Sequence, residues 1–431
     1  MKVRYIYSAC IEIETTNNLR ILCDPWFSEG IYDGSWYHFP KIKDPLKIIR
    51  NPDLIYISHI HPDHYDPNFL KKLFKKYGEK KILIPKYSKN YLLIKSKFDI
   101  IKTTPIDYFK YKGVNIHIVP NETGSDSDID SALIVNDKKT TILNLNDCIW
   151  NSSHSKKIKN IINKYKSPLK LMAVSHAGAG PYPQTYFNLK TEKKLLLNEA
   201  EKKKSLFFKR YKQYTNYFNA KYNLPFAGKY ILGGKLANLN KYRGVSDPVE
   251  VLNFDKKAII LDDFGKGEIN LKNDKITKLR KNKYQVAKIN KLIKQIKKNK
   301  LDYEKEIKID YEKINFLRLL NIAFRKACSK SEIKNNYFFI IKILDNDKVK
   351  NTFLLKSSNL RPLIKQLGSK SNLKKYKPRS EIIIDYRYLF GLLTGLYHWN
   401  NAEVGSQFLT RRFPNKFSEK IQNFFNFFSL L

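Results

Sequence analysis

The sequence predicts a layered α/β fold followed by a smaller C-terminal α+β unit, and three observations predict it. Short apolar runs bounded by turn residues alternate with helix-period patterns through the first two-thirds of the chain. Four residues of metal-ligand type crowd directly behind one of those runs. With 431 residues the chain is longer than one ordinary core, so more than one unit is expected.

Residues 1–120 read as strands punctuated by turns: "VRYIYSACIEIE", "RILCDPWF", "LIYISHIH", "KKILIPKY" and "VNIHIVP". Among them "NFLKKLFKKYG" carries apolar residues at helical spacing and ends in glycine. "DSALIVND" and "KTTILNLNDC" are two further strands, "SHSKKIKNIINKYK" a helix, and "KLMAVSHAGAG" a buried strand running into a Gly-rich loop. From about 190 to 225 the chain turns helical and Lys-rich, and "PFAGKYILGGKLANLN" and "KKAIILDDFGKGEI" return to short strands and turns. Within the very basic stretch 272–310, Val286, Ile289, Ile293 and Ile296 recur at spacings of three and four, which predicts an amphipathic helix. "NYFFIIKILD" and "EIIIDYRYLF" are strand patterns ahead of an aromatic-rich helical end. The expected division is 1–270 as a metal-binding domain, 271–330 as a basic helical connector and 331–431 as the small α+β domain.

Composition narrows the function classes. A hydrophobic fraction of 42% argues against global disorder. No run of eighteen apolar residues predicts a spanning helix, and the alternating N-terminus lacks the apolar core of a secretory signal, so a cytoplasmic location is expected. Cys10, Cys23, Cys148 and Cys328 are scattered without a C-x-x-C pair and read as reduced, buried thiols. The net charge of +41 comes mostly from Lys spread along nearly every segment, while Arg is sparse. That pattern reads as compositional bias ahead of a dedicated nucleic-acid surface, although it draws in anionic ligands either way. A small anionic substrate therefore ranks above nucleic acid as partner.

"SHIHPDHYDP", residues 58–67, holds three of the eight histidines in the chain. His59 and His61 are two apart at the end of an apolar run, so both side chains point the same way and can grip one ion. Asp63 and His64 fall on the following turn and can face a second. Imidazole with carboxylate suits zinc, iron or manganese. The competing reading, a solvated loop with Asp63 or Asp66 as a helix N-cap, does not account for four ligand-type residues at this spacing.

This His-x-His-x-Asp-His loop resembles the signature of the metallo-β-lactamase-fold superfamily, which implies a four-layer αββα sandwich with a metal site along one sheet edge. The resemblance implies that Asp147, at the end of "TILNLNDC", bridges two metals and that His176, in "AVSHAGAGPYP", is the last histidine ligand. The family's middle histidine has no counterpart between Val119 and Ser131; that loop offers Glu122, Asp126 and Asp128 as oxygen donors instead. His117 sits inside a strand, on the face opposite Val114, Ile116 and Ile118, and reads as a satisfied strand histidine. "CDPWFSEGIYDGSWYHFP", "LNLNDC" and "GAGPYPQTYF" make residues 1–270 similar to the lactamase-like domain of the CMP-N-acetylneuraminate hydroxylase family. The paired C-x-H and C-x-x-H ligands of that family's Rieske domain do not occur in this sequence. Asp24 is either an orienting partner of a ligand histidine or a plain turn residue. Trp26, Trp36, Tyr37 and Tyr182 read as core before pocket, and His398, Asn400, Asn401, Glu403, Arg411 and Arg412 as structural.

The function expected is a metal-dependent hydrolase that uses a metal-activated hydroxide on a phosphate-bearing or nucleotide-sugar substrate. His59 and His61 would hold one zinc; Asp63, His64 and His176 a second if present; Asp147 would bridge, and Asp63 would also act catalytically by orienting the nucleophile. The alternatives are an iron- or manganese-dependent oxidoreductase related to sugar-nucleotide hydroxylation and a non-catalytic metal- or anion-binding module.

Overall fold

The computed structural model describes residues 1–125, 128–331, 333, 335–358 and 361–431. Two sheets lie face to face. In the first, Lys275–Thr277, Glu268–Asn270, Lys2–Tyr7, Cys10–Glu14, Arg20–Cys23, Leu54–Tyr56, Lys81–Pro85 and Thr103–Ile106 follow one another edge to edge. In the second the order is Tyr222–Phe226, Leu169–Ser175, Thr141–Asn144, Ser131–Asn136, Val114–Pro120 and Tyr108–Tyr111.

Parallel neighbours need a crossover, and helices supply it. Pro67–Tyr77 and Tyr91–Phe98 carry the chain between parallel strands of the first sheet, and Ser152–Asn163 and Lys193–Phe218 do so in the second. Strand alternation then divides the core into layers. Val3, Ile11, Ile21 and Leu54 meet Ile116, Leu133, Ile142 and Leu171 between the sheets. On the outer faces Ile55, Ile57 and Ile82 pack on Phe69, Leu70 and Leu73, while Leu143 and Met172 pack on Ile158, Tyr211 and Tyr214. The result is the helix–sheet–sheet–helix sandwich expected.

The start of the helix Pro67–Tyr77 anchors the histidine loop on its C-terminal side. Asp66 caps it by accepting from the Phe69 amide at 2.9 Å, Pro67 takes the first position, and Gly78 ends it at φ +77°. The same Asp66 carboxylate accepts from the Phe27 and Ser28 amides, at 2.9 and 2.7 Å, and ties the "CDPWFS" loop to the helix start.

The five-stranded sheet Leu363–Leu367, Lys348–Ser358, Asn335–Asp345, Arg379–Asp385, Leu409–Phe413 forms the C-terminal domain, with helices Phe316–Lys330, Tyr386–Thr394 and Glu419–Phe425 on it. Its core runs without a break into Tyr7, Trp26, Tyr32, Trp36 and Tyr230 of the sandwich. Gln407 Nε2 donates to the Tyr32 carbonyl at 2.7 Å, and Thr410 N to the Thr185 carbonyl at 2.9 Å. The helix expected in the basic stretch spans Val286–Ile296 and lays Ile289, Ile293 and Ile296 against Phe39 and Ile231, while Val286 stays outside at 68% exposure. All four cysteines are buried and free. No helix among the described residues is long and apolar enough to cross a membrane.

At the junction Asp33, at φ +60°, accepts a 2.6 Å hydrogen bond from Tyr388. Burial, helped by Asp302 and Glu306 and opposed by the Tyr388 bond, pushes its pKa up to about 6. The folded chain thus keeps this proton in a range where the unfolded chain, near ~4, has lost it. The associated stability is fully present below about pH 4 and is lost as the pH rises through about 6. Asp33→Asn keeps an acceptor for Tyr388 without the buried charge. It should be more stable than the parent by about 2 kcal/mol at pH 8, with the gain shrinking toward pH 4, in denaturant titrations. A gain that did not change with pH would contradict this assignment.

Candidate metal centre

The histidine loop leaves the carboxyl end of Leu54–Tyr56, and the "CDP" turn leaves the carboxyl end of the parallel neighbour Arg20–Cys23. Across the sandwich, Asp147 and His176 follow Thr141–Asn144 and Leu169–Ser175, also parallel neighbours. The same ends of both sheets therefore face one place.

His59, His64 and Asp147 each offer a ligand atom there, all within 4.8 Å of one another. His59 Nε2 faces His61 Nδ1 at 2.9 Å, and His61 Nε2 lies 3.1 Å from Asn400 Oδ1 of the C-terminal domain. His64 Nε2 is 3.5 Å from Asp63 Oδ2 and 3.6 Å from Asp147 Oδ2. The Tyr32 hydroxyl donates to Asp63 Oδ1 at 2.6 Å, leaving Oδ2 turned to His64. Behind these groups Asp24, fully buried at φ +41°, holds His64 Nδ1 at 3.1 Å and accepts from the Ser58 amide at 2.7 Å. Asp24 is thus the orienting partner of His64, the arrangement that fixes a ligand imidazole by its second nitrogen.

The electrostatics are those of a buried site rich in carboxylate. Burial holds the His59 pKa well below its usual value, with His64 and His61 adding to the effect, and burial lowers that of His61 too. Burial works against His64 as well, but Asp63, Asp24 and Asp147 together raise its pKa well above normal. Asp130 is pushed up to about 7, by burial first and then by Asp147.

Two observations show that this donor set fits a divalent ion. Asp147 Oδ1 is buried with no hydrogen-bond partner among the described residues, which is costly for a carboxylate oxygen. Two imidazoles whose burial disfavours protonation turn ring nitrogens on each other at 2.9 Å, and three carboxylates, Asp24, Asp63 and Asp147, meet the single imidazole of His64, whose pKa is raised. A shared cation satisfies both features, and mixed imidazole and carboxylate donors match zinc, iron or manganese.

His176 stands apart from the three-residue group. Its Nδ1 lies 3.1 Å from the Phe226 carbonyl, Ser246 Oγ donates to its backbone carbonyl at 3.3 Å, and burial takes its pKa down to about 4. A neutral ring donating from Nδ1 carries its free lone pair on Nε2. Of the loop that lacks a histidine, Glu122 is exposed and Asp126 lies outside the described residues. Asp128 is used up in the loop itself, accepting from the Thr123 and Gly124 amides at 2.6 and 3.0 Å. The carboxylate that reaches the site is Asp130, 3.8 Å from His59 Nδ1. Sequence reasoning missed it, although its place directly ahead of the strand Ser131–Asn136 matched that of the other strand-end donors. Tyr32 and Asn400 were missed as contacts of the site as well. His117 is the satisfied strand histidine expected, 2.6 Å from the Tyr165 hydroxyl.

Residues 2–161, which make up much of the sandwich, match the family described as a beta-lactamase superfamily domain. The chain is also similar to cytidine monophosphate-N-acetylneuraminic acid hydroxylase. The Xenopus laevis protein is 29% identical over 240 residues, which cover 54% of this chain and 38% of the relative. The Danio rerio protein is 28% identical over 232 residues, covering 50% and 38%. The match thus spans well under half the length of these relatives. Among solved structures, the isothiocyanate hydrolase from Delia radicum gut bacteria aligns with a TM-score of 0.40 at 14% identity, over 63% of this chain and 99% of that one.

Proposed function

We propose that the chain is a metal-dependent hydrolase acting on a small anionic substrate, with a centre built from His59, His61, Asp63, His64 and Asp147 and with His176 as a further ligand. The observation that carries this reading is the buried, unpartnered Asp147 Oδ1 among ring nitrogens of the histidine loop. Zinc bound in such a set lowers the pKa of water toward ~7 and so makes a nucleophile available at neutral pH. The chain's own groups do the rest. Tyr32 locks Asp63 through one oxygen, so the other can orient a nucleophile or take its proton. Asp24 holds His64 in one ring orientation, and Asn400 does the same for His61. The four buried free thiols support a reducing, cytoplasmic setting. Similarity to hydroxylases that by name take a cytidine monophosphate sugar supports a nucleotide-sugar or other phosphate-bearing substrate.

A second reading, oxidative chemistry on iron or manganese, is favoured by one observation: a carboxylate, Asp130, stands by His59 where the resemblance implied a histidine, and oxygen donors favour harder ions. One experiment separates the two. Full-length protein loaded with zinc, iron or manganese is assayed on phosphoesters and nucleotide sugars, with and without oxygen. Oxygen-independent bond cleavage by the zinc form is the expected result. Turnover that needs both iron and oxygen would replace the hydrolase reading with the second, and no turnover in any form would contradict both.

A further inference from the structure

We propose that Arg243 and Lys203 form a receptor for an oxyanion, the phosphate or carboxylate of the substrate, at the aromatic wall that leads to the metal centre. In serving that substrate the receptor rests on the proposed function; as an anion site it stands on its own geometry.

Arg243 is only 8% exposed, and its Nη1 has no hydrogen-bond partner among the described residues. The one hydrogen bond from its guanidinium to a backbone carbonyl is long, 3.4 Å from Nε to Asn240. Lys203 lies half-buried on the helix Lys193–Phe218 and donates to the Tyr182 carbonyl at 2.9 Å, in the loop that follows His176. Neither cation has an ion pair among the described residues, and the acids nearby on the helix side are taken. Glu199 accepts from Tyr182 and Lys202, and Glu250 pairs with Lys204. Burial and the Arg243 charge together bring the Lys203 pKa down to about 7, as expected of two cations that share a site without an anion. A buried charge is normally paired, so an unpaired guanidinium beside a second cation marks a place where the anion comes from outside. The planar guanidinium fork suits phosphate and carboxylate oxygens.

The position of this pair is fixed from several sides. The guanidinium lies 4.2 Å over the Tyr230 ring, Tyr230 stacks on Trp36 at 3.4 Å, and Trp36 is 4.4 Å from Tyr32, whose hydroxyl holds Asp63. Gly244, at φ +65°, sits so close to the helix that a Cβ there would fall 2.4 Å from the Ala200 carbonyl oxygen. This contact sets the segment that carries Arg243 against the helix one turn from Lys203. Three residues along from Arg243, Ser246 holds the His176 carbonyl. The two cations therefore flank the loop 176–183 and join the ligand side chains through one aromatic stack.

The test measures binding of inorganic phosphate and, separately, acetate to the full-length chain, with metal content determined on each preparation. Parent, Arg243→Gln, Lys203→Met and Asp147→Asn proteins are compared. Saturable binding that weakens at least tenfold in Arg243→Gln and in Lys203→Met, with metal content unchanged, is expected; the tighter of the two anions identifies the substrate group. Asp147→Asn should lose metal and keep the anion. Affinity that falls only in Asp147→Asn would place the anion on the metal and overturn the receptor while leaving the metal centre intact. Loss of anion binding in Arg243→Gln from protein that never holds metal would uphold the receptor and sink the metal reading. Should Arg243→Gln not fold, Lys203→Met decides, and parent-like affinity there overturns the proposal.

Discussion

Asp147→Asn should fold, as judged by far-UV circular dichroism, and bind metal more weakly than the parent by upwards of ~100-fold, beyond the range seen when only an orienting partner is removed. The substitution preserves the shape of the side chain and replaces one carboxylate oxygen by an amide nitrogen, which cannot ligate a cation. Asp147 faces His64 at 3.6 Å and leaves its other oxygen buried and unpartnered, so the substitution removes a donor oxygen that no hydrogen bond in the site engages. The consequence reads out in stability as well. A ligand present at ~100 times its dissociation constant stabilises a fold by about 2.7 kcal/mol, so added zinc should raise the parent's Tm and leave that of the variant unmoved. An equal rise in both proteins would mean that the ion sits elsewhere.

Asp24→Ala should have the second-largest effect, although Asp24 is not itself expected to touch the ion. Its carboxylate accepts from the Ser58 amide at 2.7 Å and from Ser58 Oγ at 2.8 Å, and it meets His64 Nδ1 at 3.1 Å, all of them buried. Truncation leaves a buried amide without its acceptor, at a cost of about 1–3 kcal/mol, and frees the His64 ring to turn. Metal affinity should fall about 10- to 100-fold through that loss of orientation. Asp24→Asn, which keeps one acceptor oxygen, should recover most of the stability and only part of the affinity. Unchanged affinity in Asp24→Ala would show that Asp24 serves the turn alone.

The parts of the site carried by local spacing were legible in the sequence. His59, His61, Asp63 and His64 lie within six positions, and a strand end directly before them fixes which way they point. Asp147 shares the logic of a donor at a strand end. Asn400 does not, because it meets His61 across 339 residues and no periodicity in "LYHWNNAEV" marks a contact so remote. Tyr32 belongs to the same class, brought to Asp63 by a turn in which Tyr32 and Asp33 both adopt positive φ. The layers of the fold followed from apolar patterning, whereas strand order did not. Glu268–Asn270 adds itself beside Lys2–Tyr7, a pairing set by tertiary packing and not by anything in either segment. "PFAGKYILGGKLANLN" reads as short strands and turns, yet Gly234–Tyr242 winds into a 3₁₀ helix whose Asn240 side chain binds both the amide and the carbonyl of Leu232. Side-chain-to-backbone bonds of this kind compete with strand ladders and leave little trace in hydropathy. The aromatic C-terminal segment, expected to be structural, packs into the core of its domain and through Asn400 also reaches His61.

The central claim is that this donor set holds a transition metal, and elemental analysis tests it most directly. Full-length protein is purified without chelators or a polyhistidine tag, beside its Asp147→Asn counterpart from the same medium. About one to two zinc, iron or manganese ions per chain in the parent, and a small fraction of that in the variant, is the predicted result. A parent without metal after growth in supplemented medium, or equal metal in both proteins, would contradict it.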